Sequence, residues 1–447
     1  MKKIYILFTV LALSACDILE QEPEALILTE EAITDRQSAV SAVNGLYSTL
    51  QSGDMYGGRF VMANEMVAGN GVATAFQAFW QELATGRIPT ANFHVEGNWV
   101  AHYNTANAAS KIIEEIPNIT GLSDGDIDQF LGVAYFMRGL AHFDLLRQYG
   151  EFFDLNSDFG IPLKLTSTVE GEVVEVPRST VAASYDQIEA DLNEAVSRLS
   201  GGQSFFASST AAQALLARMH LYKGEYAAAA ARATDVIESG SYELVSDYNM
   251  IYTDEGSGES VFELEFAQLD DPNAYATEMY VSPPEVSVSE DLIAFFDARG
   301  ETERNLLFDQ TGSGLYRCIK YGSGQQDNGG NTIIIRLSEM YLIRAEALAL
   351  QPGGIPNDAL PDLNEVRNRS GLSNINNINN NAELRNILLD ERRAEFAFEG
   401  QYWFDMSRYD LIDERRGLAS FRRVYPIPFR EINISDGTLA QNPGYNN

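Results

Sequence analysis

ALLARMHLYKGEYAAAAARATDVIESG, residues 214–240, is read most simply as two helices folded back on each other. Gly224 marks a stop after one helical run, and Gly240 marks a stop after the next. Small alanines crowd the second run, so its partner helix can approach closely. Tyr226 supplies an aromatic ring to fill the space beside Ala229. A second stretch, MYLIRAEALALQPGGIPNDALPDLNEVRNRSG (340–371), has the same plan with a turn four residues longer. Leu216 and Arg218 match Leu342 and Arg344, and Val236 matches Val366.

This is the logic of tetratricopeptide-like pairs. One pair cannot bury its own apolar face, so pairs stack. Helical periodicity extends the same reading outward. Helices are predicted over 34–51, with Ala39, Val43, Leu46 and Leu50 as one stripe, and over 97–117, with Trp99, Tyr103, Ala106 and Ser110 on one face. Others are predicted over 124–149, 180–199, 209–223, 225–239, 334–351, 357–370, 381–399 and 400–409. Between 240 and 333 the pattern changes. Gly, Ser, Pro and Asp become frequent, and strand-like alternation marks 260–268 and 315–321. The predicted class is mainly α: helix pairs forming one globular body, with irregular loop and short-strand insertions. Four regions follow: 1–15, 16–33, 34–240 and 241–447.

The first region is a signal. Lys2 and Lys3 precede an apolar run, which ends in Leu13-Ser14-Ala15-Cys16. The run is too short to span a bilayer, which needs roughly 20 residues. A cysteine directly after small residues predicts cleavage at 15 and lipidation of Cys16. No later stretch is apolar for long enough to cross a membrane, so the lipid is the expected anchor. Residues 16–33 read as an acidic tether. Cys318 is the only other cysteine and would then have no partner within the chain. It is expected to be a small buried apolar residue.

Charge excludes a class of partners. Thirty-one Lys and Arg stand against 64 Asp and Glu, a net charge of −33. Such a surface repels phosphate backbones, which argues against nucleic acid. The four histidines, His94, His102, His142 and His220, form no HExxH or other close pair, so no zinc site is expected. The Gly-Ser-Gly triplets at 256–258, 312–314 and 322–324 match no phosphate loop or nucleophile elbow. Glu391, Glu395 and Glu399 fall on one helical face beside Arg392 and Arg393. No carboxylate opposes them, so ion pairing, with Arg408 among the partners, is expected rather than glycosidase chemistry. Arg336, Glu339, Arg344 and Glu346 read the same way.

Several segments together resemble the SusD/RagB family of outer-membrane nutrient-uptake lipoproteins. They are CDILEQEP at the lipidated start, RGLAHFDLLRQYG (138–150) with Gly160-Ile161-Pro162-Leu163, and IIIRLSEMYLIRAEALAL (333–350). ERRAEFAFEGQYWFDMSRYD (391–410), VYPIPFREI (424–432) and QNPGY (441–445) complete the set. The resemblance implies an outer-membrane lipoprotein facing the cell exterior. It implies a protein that binds an oligosaccharide or polysaccharide and passes it to a SusC-like TonB-dependent transporter, without catalysis. It also leaves a RagB-like peptide cargo open. A tetratricopeptide scaffold for envelope assembly is a rival from another class. Some relatives hold a structural calcium, but no EF-hand loop is present and no ligands are assigned. No other cofactor is expected.

A sugar site needs flat aromatic faces beside planar polar groups. Ligand aromatics are expected in the insertions rather than at helical spacing. That criterion sets Trp99 and Tyr103 aside as packing residues. It selects Trp80, with Phe76, Gln77 and Phe79, in NGVATAFQAFWQEL (70–83). It also selects Tyr275 and Tyr280 in DDPNAYATEMYVSPP (270–284).

Overall fold

The computed structural model describes residues 33–74, 77–168, 176–202, 204–253, 255–266, 273–322 and 330–446. Cys16 and Phe76 lie outside these residues. Among the described residues, no helix is long and apolar enough to cross a membrane.

The 214–240 stretch is a helix pair. Its helices, α7 (Ser209–Lys223) and α8 (Tyr226–Glu238), are antiparallel neighbours. Ser208 caps α7 by accepting the Ala211 N–H at 3.1 Å. Gly224 ends it at φ 80°, a left-handed conformation that costs a glycine little. Ala229, Ala230 and Ala233 of α8 are buried against the partner, as the alanine run requires.

Helices α1 (Arg36–Gln51), α2 (Arg59–Ala68), α3 (Ala78–Thr85), α4 (Phe93–Glu115), α5 (Asp124–Tyr149) and α6 (Val181–Arg198) precede the pair. After it come α9 (Tyr248–Thr253), α10 (Glu290–Arg299), α11 (Leu337–Leu350), α12 (Leu360–Arg369) and α13 (Asn381–Glu395). The last are α14 (Tyr402–Arg408), α15 (Ile412–Arg416) and α16 (Phe429–Ile434). The chain stacks α4 on α5, α5 on α6, α6 on α7, α7 on α8, α8 on α11 and α11 on α12. The two look-alike pairs are thus neighbours in one array. Close approach of α5 and α6 depends on Gly139, where a Cβ would lie 2.9 Å from Leu192 Cδ2.

The strands are β1 (Gly71–Ala73), β2 (Ser260–Leu264), β3 (Val286–Val288), β4 (Phe308–Gln310), β5 (Tyr316–Cys318) and β6 (Thr332–Arg336). β2 and β6 pair antiparallel; the other four form one sheet in the order β1-β3-β5-β4. Two predicted boundaries are corrected. The helix expected from 334 begins at Leu337, because the β-branched run Thr332-Ile333-Ile334-Ile335 joins β2 instead. The helix expected over 381–399 ends at Glu395. Phe398 then takes φ 61°, and its carbonyl accepts the Tyr321 hydroxyl at 2.5 Å.

A buried ionic network fastens the C-terminal half. Glu391 pairs with Arg299 (2.7 Å), Arg304 (2.6 Å) and Arg367 (2.8 Å). Glu395 pairs with Arg304 (2.8 Å), Arg336 (2.5 Å) and Arg369. Glu399 pairs with Lys320 (2.6 Å) and Arg336 (2.9 Å). The expected partner Arg408 goes elsewhere, to Glu346 and Asp405, because it lies on α14 and faces α11. Arg218–Glu339 (2.6 Å) and Arg344–Asp362 (2.7 Å) are likewise inter-helix pairs. Phe396, Phe398, Trp403 and Phe404 are buried around this motif.

Candidate ligand-binding site

The insertions at 70–83 and 270–333 are far apart in sequence and meet in one sheet. Gly71, Val72 and Ala73 of β1 lie opposite Val288, Ser287 and Val286 of β3. Val288 in turn lies opposite Tyr316 of β5. Side chains reinforce the seam. Ser287 Oγ donates to the Tyr316 carbonyl at 2.5 Å, and the Thr74 N–H donates to the Glu285 carbonyl at 2.9 Å. The Gln77 amide bonds the Glu285 carboxylate.

This seam bounds a cleft of about 310 Å³, lined by Val72, Ser289, Glu290, Asp291, Leu315 and Tyr316 among others. Ser289 is the N-cap of α10. Its hydroxyl accepts the Leu292 N–H at 3.1 Å and donates to the Gly69 carbonyl at 2.9 Å. Glu290 and Asp291 occupy the first turn, where the positive helix end favours carboxylates, and both are exposed. A half-buried tyrosine therefore stands beside two solvated acids on a fixed backbone. That set can pack a ring face and accept hydroxyl protons.

The selected residues divide sharply. Trp80 is 0% exposed, with His94 4.0 Å away ring to ring and Leu83 buried on the same side of α3. Tyr275 is also 0% exposed and stacks on Tyr321 at 3.9 Å. Neither ring presents a face to a ligand in this fold, which corrects their selection. Trp80 and Leu83 are an i, i+3 pair, and that spacing marks an inward helix face. Gln77, Phe79 and Tyr280 are half-buried. The Tyr280 hydroxyl donates to the Cys318 carbonyl at 2.9 Å, which ties this segment to β5. Phe79 lies 6.0 Å from Phe93, which is 58% exposed. Phe93 and Tyr316 were not selected from sequence. Phe93 stands six residues before Trp99, well off that apolar stripe, and Tyr316 follows a Gly-Ser-Gly turn in a strand-like run.

Cys318 is buried, and burial pushes its thiol up to about 12. Among the described residues, one group, Glu189, His220 and Glu225, has the spacing of a metal site. The Lys223 ammonium already sits 3.1 Å from Glu189 and 3.0 Å from Glu225. The group also offers far fewer oxygens than the six to eight that calcium takes. It does not fit that ion.

The family model described as "SusD family" matches residues 241–420, and the one described as "Starch-binding associating with outer membrane" matches 17–221. The chain is SusD-like. SusD-like protein P38 of Formosa agariphila is 26% identical over 99% of this chain and 99% of that protein. A SusD superfamily structure from Bacteroides vulgatus superposes with a TM-score of 0.80 at 25% identity, covering 93% of this chain and 100% of that one. A laminarin binding SusD-like protein shares the fold, with a TM-score of 0.74 at 21% identity over 92% and 100% of the two chains. The SusD-like body is therefore the scaffold on which the sheet cleft sits.

Proposed function

We propose that this SusD-like chain is a lipid-anchored outer-membrane protein that binds a glycan and delivers it to a SusC-like TonB-dependent transporter, without catalysis. The observation that carries the reading is the sheet cleft. Both irregular insertions build it, and it combines the Tyr316 ring with the Glu290 and Asp291 carboxylates. A sugar ring packs its C–H face on an aromatic and its hydroxyls on carboxylates. The starch-binding description of one matching family model and the laminarin-binding neighbour support the ligand class. The outer-membrane wording of that model and the Leu13–Cys16 run support the location.

Affinity electrophoresis and calorimetry across a panel of neutral polysaccharides test this. Binding to at least one is expected, with no product released on prolonged incubation. Tyr316→Ala should weaken that binding roughly tenfold, the effect of losing one aromatic contact. No binding across the panel, or peptides recovered on the purified native complex, would replace the glycan with another cargo. Cys16→Ala should abolish palmitate labelling and release the protein from membranes.

A further inference from the structure

A second cleft, of about 150 Å³, shares no lining residue with the sheet cleft. Trp99, Tyr103, Pro162, Glu431, Ile434 and Thr438 are among its walls. It forms where α4 meets α16 and the turn that follows. Trp99 and Tyr103 pack with ring centroids 4.8 Å apart, and the Tyr103 hydroxyl donates to the Pro162 carbonyl at 2.8 Å. The two residues that helical spacing assigns to packing therefore also form the base of a cavity.

The rim is fixed before any ligand arrives. The Phe429 N–H donates to the Thr90 carbonyl at 2.8 Å, which seats the start of α16. Ser435 Oγ donates to the Ile432 carbonyl at 2.8 Å and accepts the Leu439 N–H at 3.2 Å. Arg178 donates to the Ala440 carbonyl at 3.0 Å and to Asn442 Oδ1 at 2.8 Å. A preformed rim lowers the ordering cost of binding.

Three properties select the ligand. The volume lies below the roughly 300–1,000 Å³ of pockets for drug-sized molecules, so one ring fits. Pro162 and Ile434 give aliphatic walls for C–H groups. Glu431 is half-buried, and burial pushes its carboxyl above the usual range, with Arg430 and the Trp99 indole pulling it back. An apolar side chain pressed into the cleft would strip water from that carboxylate and return no hydrogen bond. A ring bearing hydroxyls returns them. Lys164 in the wall and Arg430, 3.1 Å from Glu431, already supply the positive charge that a cationic ligand would bring.

We propose that this cleft is a second, separate sugar site that takes a single pyranose unit. The inference rests on the glycan-binding reading and deepens it, giving the protein one surface for the chain and another for a single residue of it.

Tryptophan fluorescence isolates the test. All three tryptophans are buried, Trp80 and Trp403 at 0% exposed and Trp99 at 3%, and of the three only Trp99 borders the second cleft, at the edge of its ring. The whole protein is titrated with the methyl glycosides of glucose, galactose, mannose and xylose, and with an alanine-leucine-alanine tripeptide. A saturable emission change is expected with at least one glycoside at millimolar concentration. Glu431→Gln and Thr438→Phe, each checked for fold by circular dichroism, should weaken it at least roughly tenfold. Tyr316→Ala should leave it unchanged. No saturable change with any glycoside, a change with the tripeptide alone, or unaltered affinity in both cleft variants would overturn the proposal. Polymer binding that Tyr316→Ala abolishes, in a protein whose Trp99 answers no glycoside, would refute this site and leave the sheet cleft standing. The reverse pattern would refute the sheet cleft and leave this one.

Discussion

Trp80 and Tyr316 show what single side chains reveal and conceal. Both are aromatic residues in insertions, and sequence reading favoured Trp80. The fold buries Trp80 completely and leaves Tyr316 half-open on a cleft. Their substitutions should therefore differ in kind. Trp80→Ala should cost about 3–5 kcal/mol of stability, as large-to-small changes in packed interiors do, and change glycan affinity only through unfolding. Tyr316→Ala should weaken binding while the melting temperature moves little. Paired calorimetric melts and binding titrations separate these outcomes. The Trp80–Leu83 spacing was present in the sequence and outweighs the insertion argument. Tyr316 was harder to find, because its exposure depends on Val288, paired with it from another part of the chain. Nothing local in LYRCIKY specifies that neighbour.

Helices were read well where a stop and a cap coincide with a periodic run. The segments 124–149 and 209–223 were placed to the residue, since Ser123 and Ser208 cap them and glycines follow. The reading failed where two structures compete for one run. Residues 332–336 continue the apolar pattern of α11, yet their β-branched side chains and the waiting edge of β2 make a strand. Pairing between α5 and α6 offers a sharp test. At Gly139 a Cβ would lie 2.9 Å from Leu192 Cδ2 and 3.0 Å from Leu192 Cγ. Gly139→Leu should lower stability by about 1–3 kcal/mol through overpacking, measured by urea unfolding. An unchanged midpoint would show that the two helices can part without penalty.

Taken together, the helical body was readable in outline and the sheet cleft was not. Periodicity reports on stacked helices, whereas the sheet is a non-local contract between short strands. The buried network adds a dependence on acidity. Burial pushes Glu395 up, but Arg369, Arg336 and Arg304 overcome it and hold the carboxyl well below its ordinary 4.5. Glu391, beside Arg304, Arg299 and Arg367, is also lowered. A carboxylate depressed in the folded state stabilises fully above its unfolded value, and that contribution is lost as pH falls through the folded one. Glu395→Gln should therefore cost about 3–5 kcal/mol near neutrality, the penalty for breaking a buried ion pair. The gap between variant and parent should narrow as pH falls below 4.5. Thermal melts of both proteins across that range check the sign; a gap that widens would contradict it.

The joining of β1 to β3 also sets an order of events during folding. A chain delivered N-terminus first can begin stacking α4 to α8 while its remainder is still in transit. The four-stranded sheet cannot close until Tyr316 has emerged, some 240 residues after β1. The cleft proposed above for the glycan is thus absent until about seven-tenths of the polypeptide has emerged.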